Sequence, residues 1–131
     1  MSALRPLKSK ILVEGEDGRI DEHDLATIQA ALPPGPVADD DMKVLIEMRG
    51  DARSACPAFD AWFFPMFKEY LLADGQISSM EQYQILHMLY GGGGIDPAEK
   101  AFLQDLRQEL AKLGGLTPQF EQLFQQAMRD A

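Results

Sequence analysis

Six carboxylates fall within eleven residues near the start of the chain: Glu14, Glu16, Asp17, Asp21, Glu22 and Asp24, opposed only by Arg19. Ionising like charges so close together is costly unless a cation sits among them. Carboxylate oxygens are the ligands that calcium prefers. The first chemistry open to this segment is therefore divalent-cation binding. Glu14, Glu16, Asp17, Asp21 and Asp24 are the candidate ligands, and His23 lies within the same run. A solvated loop running into a helix cap accounts for the same residues without an ion.

An Asp-Gly-x-Ile pattern sharpens the question. It occurs at residues 17–20 and 74–77, with a variant, Gly-Gly-Ile-Asp, at 93–96. An EF-hand loop places its glycine sixth and oxygen ligands at the first, third, fifth and twelfth positions. With Gly75 sixth, Tyr70 is first and Leu72 third; with Gly18, Val13 and Gly15; with Gly93, Met88 and Tyr90. All three loops lack the two leading ligands, so only a weak, irregular site could form in these degenerate loops. Helix capping explains the turns more economically. Each ends in an N-cap residue (Asp21, Ser78 or Asp96), followed three places later by an acid (Asp24, Glu81 or Glu99).

Other chemistries find little support. No nucleophile–base pair or metal triad can be assembled, so no catalytic residue is assigned. Cys56 is the only cysteine and precedes Pro57; neither His23 nor His87 forms a pattern with it. The glycine run 91–94 has no following Lys-Ser/Thr and no preceding strand, which excludes a phosphate-binding loop. Twelve basic against 21 acidic residues give a net charge of -9. Without a basic face, nucleic acid is not an expected partner; cations or another protein's basic surface suit that field better. No segment reaches the roughly 18 apolar residues of a membrane helix, and no signal peptide is evident, so a cytoplasmic protein without membrane insertion is expected.

Apolar residues recur at spacings of three and four, which predicts an all-α fold. Leu25, Ile28 and Leu32 form one stripe; Val44, Leu45, Met48 and Ala52 a second; Phe59, Trp62, Phe63, Met66, Phe67 and Tyr70 a third. The second half offers Ile85, Leu86 and Leu89; Leu103, Leu106, Leu110 and Leu113; then Phe120, Leu123, Phe124, Ala127 and Met128. Leu4, Leu7 and Ile11 suggest a further helix, and Pro65 should kink or end the first part of its helix. The halves also align with each other. Leu45 and Arg49 fall on Leu103 and Arg107, and Pro57, Phe59 and Phe63 fall on Pro118, Phe120 and Phe124. The expectation is a single domain over 1–131: a compact bundle of six or seven helices built from two pseudo-repeats of three, about 17–73 and 74–131. Trp62, Phe63, Phe64 and Phe67 cannot share one helix face. Trp62 or Phe64 is therefore expected to reach the surface as a partner patch.

The segment LLADGQISSME at 71–81, with DGRID at 17–21 and IDPAEK at 95–100, resembles the tellurite-resistance TerB family and its relatives. The likeness covers nearly the whole chain as a pattern but only about thirty residues as motif. It implies a compact helical domain without catalytic machinery, associated with bacterial stress and metal-resistance systems and with divalent-cation binding. The motif positions here are Asp17, Gly18, Ile20 and Asp24, then Asp74, Gly75, Ile77 and Glu81. Asp24 replaces the usual Glu and Ser78 a frequent acid, which weakens the case for metal. The resulting expectation is a protein-interaction module, with weak divalent-cation binding or sensing as the alternative.

Overall fold

A computed structural model describes residues 3–12, 18–73, 75–90 and 94–131. Helices form where the stripes run uninterrupted: α1 (Leu4–Leu12), α2 (Glu22–Ala31), α3 (Asp39–Asp51), α4 (Pro57–Leu72), α5 (Ser79–Tyr90), α6 (Pro97–Leu113) and α7 (Pro118–Asp130). The fold is all-α, with seven helices among the described residues. The chain divides into two compact units, residues 1–63 and 64–131. The division falls inside α4, which continues through Pro65 and does not end there. Unit one thus holds α1 to α3 and the start of α4; unit two holds the rest of α4 and α5 to α7.

Each turn behaves as its residue types dictate. Gly18 and Gly75 adopt φ of 66° and 75°, backbone that a side chain resists. Ile20 and Ile77 are buried directly after them. The three expected caps are present and reciprocal. Asp24 N–H donates to Asp21 Oδ1 at 2.8 Å and Asp21 N–H to Asp24 Oδ2 at 3.1 Å. Ser78 with Glu81 and Asp96 with Glu99 repeat the arrangement. Glu81 and Glu99 are buried, so these carboxylates are structural.

A two-residue parallel ladder, unanticipated from the sequence, joins β1 (Arg19–Ile20) to β2 (Ser54–Ala55) in unit one. Arg53 N–H donates to Gly18 O at 2.9 Å and Cys56 N–H to Ile20 O at 2.8 Å on either side of it. In unit two the corresponding approach is between Gly75 and Gly115.

Side-chain contacts reproduce the internal repeat. In unit one Arg49 Nε donates to Asp60 Oδ1 at 2.9 Å, and the guanidinium lies 6.0 Å from the Phe63 ring centre. In unit two Arg107 Nε donates to Glu121 Oε1 at 2.8 Å, 5.2 Å from the Phe124 ring. Two helices in each unit are joined by the same cation, acid and aromatic positions. A second pair of contacts repeats as well: Lys8 with Glu47 at 3.2 Å, and Lys68 with Asp105 at 2.8 Å.

Glu47 is largely covered by these contacts. Arg5 Nη1 lies 2.7 Å and Lys8 Nζ 3.2 Å from its Oε1. The hydrogen bond from Arg5, reinforced by Lys8, holds its carboxyl down at about 2. A depressed carboxyl contributes stability that is complete above its unfolded value near 4.5 and is lost as pH falls toward 2. Glu47→Gln should therefore unfold more easily than wild type at neutral pH. The difference should be about 1 kcal/mol, because Arg5 is half in water. The two acid-unfolding curves should converge below about pH 2, which chemical denaturation across pH will check.

Candidate functional site

Of the residues predicted to bind a cation, only Asp21 and Asp24 lie among the described residues. Glu14, Glu16 and Asp17 lie outside the described residues, as does Asp74. Asp21 and Asp24 are brought together, but by their reciprocal hydrogen bonds to the start of α2. That backbone contact holds Asp21 below the usual carboxylate range. His23 is exposed on the same helix. No group of three or more His, Cys, Asp or Glu that could hold a metal occurs among the described residues. Cys56 is half-buried at the start of α4.

Trp62 and Phe64, the candidate partner patch, are both half-buried. The Trp62 ring meets Phe59 edge-on at 5.9 Å, and Phe64 lies 5.1 Å from Phe102. Both rings are thus engaged with aromatics of their own unit.

Among the described residues, most of the exposed large apolar side chains lie on α5. Ile85, Met88 and Leu89 turn inward with Gln84 and the capping Glu81, all buried. Met80, Tyr83, Leu86 and Tyr90 turn outward, 50%, 70%, 38% and 42% exposed. His87 is exposed between them, its ring 6.3 Å from that of Tyr83. At 3.6 residues per turn these positions share about one third of the helix circumference. Leu86, expected in the core beside Ile85 and Leu89, lies about 100° round the helix from Ile85 and falls on this outer face. Leu113, also expected inside, is 56% exposed at the end of α6.

Composition separates this face from the rest of the chain. Of the twelve residues of α5 only Glu81 is an acid, and it is buried; there is no Lys or Arg. On a protein with a net charge of -9, the outward side of α5 is neutral. Helix α7 frames it with polar groups. Tyr90 O–H donates to Asp130 Oδ2 at 2.8 Å, and Gln82 Nε2 to Gln119 O at 3.2 Å. The Tyr90 hydroxyl is pushed up, first by burial and then by the Asp130 contact; Asp130 is held down by that same hydroxyl. The hydroxyl therefore stays protonated and fixes the ring. An aromatic and aliphatic centre without charged side chains of its own, bordered by the Gln82 amide and the Asp130 carboxylate, has the composition found in protein–protein contact surfaces. A shallow depression on α7, lined by Glu121, Gln122, Gln125, Gln126 and Arg129, has walls from a single helix.

Sequence reasoning missed Met80, Tyr83 and Tyr90. The signal was present: α5 is apolar on both sides, more than one buried face requires. Among the described residues no helix is long and apolar enough to cross a membrane. Compared with protein-family models, curated proteins and solved structures, the chain matches none.

Proposed function

We propose that this chain is a non-enzymatic protein-interaction module of TerB-like type whose contact surface is the outer face of α5. The neutral, exposed Met80–Tyr83–Leu86–His87–Tyr90 face on a strongly acidic chain carries the proposal. The capped Asp-Gly-x-Ile corners and the all-helical fold support the TerB-like part. A setting in bacterial stress or metal resistance follows from that resemblance alone. The capping roles of Asp21, Asp24, Glu81 and Glu99 favour protein contact over cation binding, since one carboxylate oxygen of each already accepts a backbone hydrogen bond.

Tyr83 is 70% exposed, so Tyr83→Glu should fold as wild type does. It places a charge at the centre of the face, where an uncompensated buried charge is costly. Affinity capture from native cells, with wild type and Tyr83→Glu as parallel baits, should show the specific partner reduced at least about tenfold on the variant. An identical partner list for both baits would remove α5 as the surface. Calcium at millimolar concentration should leave the amide resonances of Asp21 and Asp24 at the start of α2 in place; a saturable calcium response there would favour the cation-binding alternative.

A further inference from the structure

We infer that the outer face of α5 receives a cationic amphipathic segment of another protein, whose apolar side chains lie on Met80, Tyr83 and Leu86 and whose Lys or Arg lies at the Tyr90–Asp130 end; this rests on α5 being the interaction surface. The internal repeat shows that the scaffold does not require these residues. With Asp17-Gly18-x-Ile20 set on Asp74-Gly75-x-Ile77, the buried Ile28 falls on the buried Ile85. Met80, Tyr83, Leu86 and Tyr90 then fall on His23, Ala26, Gln29 and Pro33, all four exposed. The same outward positions carry no large apolar side chain in unit one, and α2 still forms.

Charge at one end of the stripe chooses the partner. Tyr90 O–H donates to Asp130 Oδ2 at 2.8 Å, and Gln126 Nε2 donates to the same oxygen at 3.2 Å. Both donors hold the carboxylate ionised, and Arg129 adds a smaller attraction. Arg129 itself donates to Gln126 Oε1 at 3.2 Å. Asp130 is exposed, so its charge is open to an incoming partner. Helix α5 ends at Tyr90 and α7 at Asp130, so two helix C-termini, each with a partial negative charge, lie together at this end. There is no Lys or Arg on α5, and the whole chain carries -9. An apolar stripe with a negative end, on a negative chain, complements a partner that is both apolar and basic. A second copy would bring the same -9, and an anionic lipid surface or nucleic acid finds no cation on α5. Exposed ion pairs add little affinity, so the apolar stripe supplies most of the binding and the charge supplies the selection.

The test is an amide-shift titration of the full chain with three synthetic helical peptides of about five turns each. All three share one leucine stripe; the flanking positions are Lys in the first, Gln in the second and Glu in the third. The Lys peptide should give saturable shifts centred on α5. At low salt it should bind at least about tenfold tighter than the Glu peptide, with the Gln peptide between them. Salt at about 0.5 M should narrow that ratio to roughly threefold or less. Asp130→Asn keeps an oxygen for the Tyr90 hydroxyl; it should weaken the Lys peptide about two- to fourfold, the range of one exposed ion pair, and leave the Gln peptide unchanged. Tyr83→Ser should weaken all three. Equal binding of the Lys and Glu peptides would overturn the inference, as would tighter binding of the Glu peptide. So would Lys-peptide shifts away from α5 that ignore Tyr83→Ser, or no saturable shift with any peptide up to about 1 mM. Equal binding centred on α5 would sink the preference for a cation and leave α5 standing as a contact surface. Capture with Tyr83→Glu judges that surface separately.

Discussion

Replacing Phe63 by alanine is expected to lower the free energy of unfolding by about 4 kcal/mol, and the same change at its repeat partner Phe124 by about half as much. The two positions align in sequence and sit under equivalent arginines, Arg49 and Arg107. Burial separates them. Phe63 is fully buried, stacked 5.7 Å from Phe59 with the planes 10° apart. Phe124 is only half-buried, so part of its ring already meets water and truncation leaves a smaller cavity. Denaturant titrations of both variants will check this, the midpoint falling further for Phe63→Ala at similar slope. Equal losses would contradict the difference in burial.

Gly115→Ala should be nearly as damaging, at about 3 kcal/mol. A β-carbon there would run into the Gly75 carbonyl oxygen and would also approach Leu110 Cδ2 to 3.4 Å. The first obstacle is backbone, which cannot rotate aside as a side-chain tip does, so two turns would have to separate. The melting temperature should drop by roughly 10 °C. Two other glycines provide contrasts. Gly94 has open space around its would-be β-carbon, so Gly94→Ala should stay within about 0.5 kcal/mol of wild type. Gly114 also has space but holds φ at +72°, so alanine there costs about 1 kcal/mol of backbone strain. A thermal melt of the three variants should rank them 115, 114, 94. A Gly115→Ala protein as stable as wild type would show that the two turns do not meet as described.

The inequality of Phe63 and Phe124 and the collision at Gly115 mark the limit of what the chain discloses locally. The dipeptide Gly114-Gly115 reads as a helix stop in either case. Only the arrival of Gly75 from forty residues earlier makes the second glycine obligatory. The alignment of Arg49 with Arg107 was legible from matching residue types. Their acids, Asp60 and Glu121, occupy corresponding places in the repeats, yet their pairing became visible only once the helices met. Nothing local marks Glu47 as structural, because its partners, Arg5 and Lys8, lie 42 and 39 residues away.

The sequence by itself determined the helices, their caps and their duplication. These depend on interactions that reach three or four residues along the chain, such as Asp21 with Asp24 or Ser78 with Glu81, and on periodic apolar spacing. Tertiary structure alone decided which apolar stripe each helix hides. On α5 both sides carry large apolar residues, so hydrophobicity gave no preference between Leu86 and Leu89. The packing of unit two covered Ile85, Met88 and Leu89 and left Met80, Tyr83 and Leu86 in water. Burial is a property of neighbours brought together from distant parts of the chain, and no local pattern records which side they will cover.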